Sequence, residues 1–247
     1  MKILRKIFYN LFGLKSYLKL ISIVYIRLVR ANFFKEKYPE LFFLKEIVKN
    51  NNVCIDIGAN LGYYTTFLSK LIGKNGKVYA VEPVPLFREI LQRNIRKTKS
   101  DNAEVMPFAL GEKEGKIKMG MPEKDGIIHH GMTKVADASS DNFVEYFEAE
   151  MKIPDILFAN IPKIDFIKCD VEGYEQHVFS NMLGIIKSHK PLVQSELSGK
   201  DNRLAVYNMF NSLSYRCYQL ENGELIEKDE TKLFEKDTDF YFMPKKS

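Results

Sequence analysis

Val53-Cys-Ile-Asp56-Ile-Gly58-Ala-Asn60-Leu-Gly62 is the passage that decides the fold. Val53 to Ile57 is a short, almost continuous apolar run, the pattern of a strand buried on both faces of a parallel sheet. It stops at a glycine-containing turn, and a helix over residues 63–71 is expected to follow until Gly73 to Gly76 breaks it. Lys77-Val-Tyr-Ala-Val-Glu82 reads as the second strand, and Pro83 ends it. Residues 85–98 then read as a helix with Leu86, Ile90, Leu91 and Ile95 on one side. This alternation predicts an α/β domain with parallel strands.

Further along, residues 103–110 read as a third strand, followed by a Gly111–Gly115 turn and an added strand at 116–119. Residues 120–162 read as irregular, with a short helix around 142–150. The parallel pattern resumes at residues 164–170, with a helix at 174–183, a strand at 191–197 and a helix at 202–212. The last two strands, 215–220 and 239–243, flank a polar hairpin containing Asn222-Gly223. The whole predicts a Rossmann-like, mostly parallel seven-stranded sheet with an antiparallel C-terminal strand and helices on both faces.

Charge divides the chain. Residues 1–37 hold nine lysines and arginines against the single acid Glu36, a net charge of +8, which leaves −3 for the remainder of a chain totalling +5. The same segment carries Ile3, Leu4, Ile7, Phe8, Leu11, Leu18, Ile21, Val24 and Leu28 at spacings of three and four. It therefore reads as a basic amphipathic helical arm (1–37) ahead of one main domain (38–247). Such a helix packs on its own domain or a second subunit, or lies on an anionic membrane surface as a peripheral contact. A signal peptide fits poorly, because Lys19 and Arg27 flank the apolar stretch and no small-residue cleavage site follows. The body carries no second basic stripe, so nucleic acid is not an expected partner. Cys54, Cys169 and Cys217 are widely spaced in strand-like segments, which fits a reducing cytoplasm better than a disulfide framework.

The loop after the first strand is the expected cofactor site, since ligands in such sheets gather at the carboxyl ends of strands. Gly58 and Gly62 permit a sharp turn and close backbone approach. Glu82, 20 residues beyond Gly62, ends the second strand, where a carboxylate accepts hydrogen bonds from the ribose hydroxyls of an adenosine cofactor. The dinucleotide fingerprint needs a second glycine where Asn60 stands, and Asp56 just ahead of the turn opposes a diphosphate. An acid there suits the amino group and sulfonium of S-adenosylmethionine instead.

Three motifs now make a specific resemblance. Asp56-Ile-Gly-Ala-Asn-Leu-Gly-Tyr63-Tyr-Thr65, Val81-Glu82-Pro83 and Asp165-Phe-Ile-Lys168-Cys-Asp170-Val-Glu172-Gly173-Tyr-Glu175 occur in the order of the FkbM-family methyltransferases, and the likeness spans about residues 40–200. The resemblance implies a class I methyltransferase fold and a cofactor site including Asp56, Gly58, Asn60, Gly62, Tyr63, Thr65 and Glu82, with Pro83 in the same motif. It also implies O-methylation of a hydroxyl on a sugar, glycolipid or other secondary metabolite. Ala109 is expected at the adenine border, with Phe108 either a stacking wall or plain core.

An alcohol acceptor benefits from a base that takes its proton as the new bond forms. Asp170, at the end of a strand, and Glu172, in the turn after it, are the expected catalytic or substrate-anchoring pair. Capping of the next helix is the alternative role for these acids. Lys168 shares a face with Asp170 by parity, as a functional group or an internal salt bridge. Glu196 is a second-rank candidate, and Glu175 and His177 lie on the following helix. His129-His130 with Asp125 and Asp137 lacks a convincing third ligand, so no metal is expected. Two competing readings are a nicotinamide-dependent oxidoreductase and a non-catalytic, membrane-associated cofactor-binding protein.

Overall fold

The computed structural model describes residues 2–124, 127–128, 134–135, 143–230 and 238–245. Two helices, α1 (Lys2–Arg30) and α2 (Pro39–Ile47), precede β1 (Val53–Ile57). The strand–helix alternation then follows as α3 (Tyr63–Ile72), β2 (Lys77–Val81), α4 (Pro85–Thr98) and β3 (Ala103–Met106). The expected third strand does not continue to residue 110. It breaks at Pro107, which has no N–H to donate to a ladder, and β4 (Phe108–Leu110) leaves for a second sheet.

The added strand expected at 116–119 belongs to that second sheet, which also takes up part of the region expected as irregular over residues 120–162. Within it, β5 (Gly115–Lys124) pairs with β6 (Ile127–Ile128), β7 (Lys134–Val135) and β8 (Phe143–Lys152), while β4 joins β8. The helix expected around 142–150 is strand β8. Burial alternates with period two there: Ala149 and Met151 are buried while Glu148 and Glu150 are exposed. The ladder with β5, from Gly115 opposite Met151 to Gly120 opposite Tyr146, sets that register.

The chain returns through α5 (Pro154–Leu157), β9 (Phe166–Cys169), α6 (Glu175–Ser180), α7 (Leu183–His189), β10 (Leu192–Leu197) and α8 (Lys200–Ser212). Residues 174–183 thus form no single helix. The chain restarts at α7, where the Asp155 carboxylate accepts from the backbone N–H groups of Gly184 and Ile185, each at 2.9 Å. The C-terminal strands are β11 (Tyr215–Glu221), β12 (Glu224–Lys228) and β13 (Thr238–Pro244).

The main sheet runs β12-β11-β13-β10-β9-β1-β2-β3. β3, β2, β1, β9 and β10 are mutually parallel, and β13 inserts antiparallel between β10 and β11. Seven strands form the expected sheet. The eighth, β12, adds to its edge through the Asn222-Gly223 turn, where both residues have positive φ and thus suit a tight hairpin. One face packs Ile55, Ile57, Ile167 and Val193 against Phe179 and Phe210. The other packs Cys54, Val78 and Phe166 against Leu41, Leu44, Phe67 and Leu68.

α1 kinks at Gly13, whose φ of 71° is outside helical space. Its second half buries Leu18, Ile23, Ile26 and Val29 on the domain. Asn94 of α4 fastens it: its amide donates to Ser22 Oγ and to the Leu61 carbonyl, both at 2.9 Å. One buried amide therefore joins α1 to the loop after β1. Among the described residues no helix is long and apolar enough to cross a membrane.

Candidate active site

Parallel registration sets a polar row into the sheet. Asp56 lies beside Lys168, Lys168 beside Gln194, and Gln194 beside Tyr241 across β1, β9, β10 and β13. Side chains in register share a face, so these groups line up under the carboxyl ends of the parallel strands. A cavity of about 460 Å³ opens there, within the usual range for small-molecule sites.

Its wall contains Asp56, Gly58, Asn60, Tyr63, Glu82, Pro83, Phe108, Ala109, Asp170 and Glu172 from the sequence-derived set. Gly62 and Thr65 stand behind the wall. Gly62 starts α3 in the left-handed region, and the Thr65 hydroxyl donates to Asp56 Oδ2 at 2.5 Å. Gly58 has no room for a side chain: at φ 80° an added Cβ would sit 1.9 Å from the Asp170 carbonyl oxygen. Two strand ends meet at this point.

Glu82 is 3% exposed, and its two oxygens accept the backbone N–H groups of Asn60 and Val84 at 2.8 Å each. Burial outweighs these donors and raises its pKa to about 7. Burial likewise lifts Asp56 to about 6, opposed by Thr65 and Lys168. Asn60 adopts φ 50° in place of a glycine, and its buried Oδ1 has no partner among the described residues. A free acceptor, two carboxylates and a tight backbone in one pocket suit a ligand bearing hydroxyl donors and positive charge. S-adenosylmethionine has both, so the residues present fit that cofactor.

At the other end of the cavity Lys168 is buried, 3.2 Å from Asp239 and 3.9 Å from Asp170. Burial alone would lower its pKa, but Asp239, Asp170 and Glu196 outweigh it and hold the ammonium charged. The salt-bridge role for Lys168 is therefore real, with a partner 71 residues away. Gln194 Nε2 donates to Asp239 at 3.0 Å, and Lys168 lies 5.0 Å from the centre of the Tyr64 ring. Asp170, pushed up mainly by burial, keeps a third of its side chain open. Glu172 is exposed at φ 54°, a strained conformation for a glutamate, followed by Gly173 at φ 92°.

Other expected acids separate from this group. Glu175 is a brace: Oε1 accepts from Val171 and Gly173 N–H, and Oε2 accepts from Asn202 Nδ2 at 2.7 Å. His177 stacks on Tyr174 and faces Glu112 at 3.5 Å, away from the cavity wall. Glu196 is exposed and outside the wall, yet it stands opposite Asp239 in the ladder and still bears on Lys168. Asp125, His129, His130 and Asp137 lie outside the described residues.

Sequence reasoning missed Tyr25, Tyr38, Glu40, Tyr64 and Tyr174, which all line the cavity. Tyr25 packs edge-on to Tyr38 and Tyr63, with ring centres 5.3 and 4.7 Å apart. Tyr64 and Tyr174 had a local signal, sitting inside the Gly62-Tyr-Tyr-Thr65 and Glu172-Gly173-Tyr-Glu175 motifs. Tyr25, Tyr38 and Glu40 come from the N-terminal segment, where spacing gives no hint of the site.

The Methyltransferase FkbM domain matches residues 56–236. Among solved structures, the FkbM methyltransferase of Methylobacillus flagellatus KT is similar at 17% identity and TM-score 0.50, over 78% of this chain and 43% of that one. The precorrin-6y C5,15-methyltransferase of Geobacter metallireducens GS-15 gives 11% identity and TM-score 0.50 over 87% and 90%. A protein-L-isoaspartate O-methyltransferase from Caenorhabditis elegans is 32% identical over 95 residues, which is 37% of this chain and 41% of that protein. The chain thus matches less than half the length of that curated relative.

Proposed function

The chain belongs to the FkbM methyltransferase family and is an S-adenosylmethionine-dependent methyltransferase; from that premise we propose that it methylates a hydroxyl oxygen on a sugar, glycolipid or other secondary metabolite. When bound, the cofactor supplies a methyl carbon activated by its sulfonium. The chain's own residues divide the remaining work. Glu82, Asn60 and Asp56 hold the adenosyl and amino-acid parts, with Gly58 and Gly62 shaping the loop that admits them. Phe108 and Ala109 border the same cavity. Asp170 and Glu172 anchor the acceptor hydroxyl, and one of them takes its proton as the oxygen–carbon bond forms.

One observation carries the choice of acceptor: Asp170, Glu172 and Glu40 all line the cavity, with Lys168 already engaged by Asp239. A neutral hydroxyl can donate to such carboxylates. An acidic acceptor, like the isoaspartyl carboxylate named for the nematode relative, meets like charge there. Burial raises both Asp170 and Glu40, which suits them to receive a proton.

The test is transfer of labelled methyl to a panel of neutral glycosides and glycolipids, run beside isoaspartyl peptides. Ether products are expected, and Asp170→Asn should lower kcat by about 100-fold or more while S-adenosylhomocysteine binding holds. Methyl esters on the peptides, with no ether product, would overturn the hydroxyl assignment.

A further inference from the structure

The exposed side of α1 carries an apolar stripe at helical spacing that no described element of the domain covers. Leu20, Ile21 and Val24 are 48%, 41% and 47% exposed, and Phe33, in the turn after the helix, is 57% exposed. Leu18, Ile23, Ile26 and Val29 already anchor the opposite side, so the stripe is not needed for packing. Cations gather at the end of this face. Lys45 Nζ donates to Asn32 at 2.6 Å, and Lys70 Nζ donates to the Arg30 carbonyl at 3.0 Å. Both therefore join Arg27, Lys35 and Lys37 around the turn that bears Phe33. Lys35 and Lys70 also bear on Lys45, whose pKa burial already lowers.

We propose that this face docks on an anionic lipid surface, with Leu20, Val24 and Phe33 entering the interface and the surrounding cations meeting phosphate headgroups. A helix lying flat with an apolar stripe and a basic rim is the geometry that binds such surfaces. Charge selects this occupant over a second copy of the chain. An isologous pair would bring two basic faces together, whereas an anionic bilayer complements them. Glu36, Glu40 and Glu46 lie near the turn, and Glu89 pairs with Lys15 and Lys19 of α1, too few acids to reverse the sign.

Position gives the contact its meaning. Ile21 and Tyr25 line the cofactor-bearing cavity as well, so the stripe runs to its rim. Docking there sets the cavity mouth at the headgroup level and admits the hydroxyl of an amphiphile whose tail stays in the bilayer. This deepens the hydroxyl-acceptor reading and rests on it for the substrate, but not for the docking.

The experiment is co-sedimentation of the full chain with phosphatidylcholine vesicles, with and without 30% phosphatidylglycerol. Leu20→Glu/Val24→Glu is the variant, and titration with S-adenosylhomocysteine reports its folded cavity. Anionic vesicles should raise the bound fraction at least tenfold over neutral ones, and the variant or 0.5 M NaCl should abolish the gain while ligand affinity stays within threefold. Equal binding to both vesicles, or to neither, overturns the proposal. So does a wild-type dimer by sedimentation velocity that the variant splits without any vesicle effect, which assigns the face to a second copy. Vesicle binding with no ether product leaves the docking intact and sinks only the acceptor assignment.

Discussion

Proton release at Glu82 should accompany cofactor binding, and its size follows from the site. The free carboxyl titrates near 7 instead of its ordinary 4.5, because burial outweighs the two backbone N–H donors. Hydroxyl donors from a ribose favour the ionised form, so binding requires the proton to leave. Only the ionised fraction binds well, about nine-tenths at pH 8 and about one part in 30 at pH 5.5, so affinity should fall about 30-fold between them. The apo protein moves the other way. A carboxyl whose folded pKa is raised stabilises the fold below its ordinary value, and that stability is lost as pH rises through about 7. Melting temperature without ligand should fall across this window while the shift induced by S-adenosylhomocysteine grows. Glu82→Gln removes the linkage and one charge-assisted hydrogen bond, worth about 1.5–3 kcal/mol or about 10- to 150-fold in affinity at pH 8. Asp56, near 6, leaves a shallower slope in the variant. Isothermal titration from pH 5.5 to 8.5, in two buffers of different ionisation enthalpy, reads both affinity and proton count. A flat wild-type profile, or a variant that keeps the steep slope, refutes the reasoning.

Three further outcomes follow from single contacts. Gly58→Ala should destabilise the protein by about 2–4 kcal/mol in urea unfolding, since a left-handed backbone and a clash with the Asp170 carbonyl act together; stability within 1 kcal/mol (on the order of ordinary surface changes) would contradict the geometry. Lys168→Met strands Asp170 and Asp239 without their counter-charge and should cost about 3–5 kcal/mol at pH 8. That loss should shrink at pH 5, because the raised pKa of Asp170 lets it protonate, and equal losses at both values would refute the pairing. Glu175→Ala frees the turn holding Glu172, so kcat should fall several-fold more than the affinity for S-adenosylhomocysteine; unchanged kcat would assign Glu175 a purely structural role.

What the chain discloses by itself follows from the range of each interaction. The loop from Asp56 to Thr65 and the strand end at Glu82 are local: glycine positions, a buried apolar run and a terminating proline mark them within a few residues. The residues that line the cavity therefore include most of the cofactor set read from sequence. Of the second sheet, β5 was legible as the added strand at 116–119, whereas β8 was missed because its alternating stretch, Phe147 to Lys152, follows a run without alternation and its partner lies across the ladder. Pro107 was the one local mark of that break. Parity placed Lys168 with Asp170 but could not supply Asp239, since that neighbour exists only once β13 inserts beside β10.

The N-terminal segment shows how far that difference reaches. Its period of three and four predicts a helix, and the helix forms, yet periodicity cannot say which neighbour a stripe meets. Folding sends one side of α1 to the domain and leaves the other at the rim of the cavity. Asn94 joins Ser22 of that helix to Leu61 in the loop after β1 through one buried amide. The family match begins at residue 56, whereas Tyr25, Tyr38 and Glu40 precede it. The residues proposed to hold the methyl donor thus lie in the shared domain, and the residues ahead of it add walls of their own to the same cavity. Acceptor choice in this chain is therefore to be sought first among those three side chains.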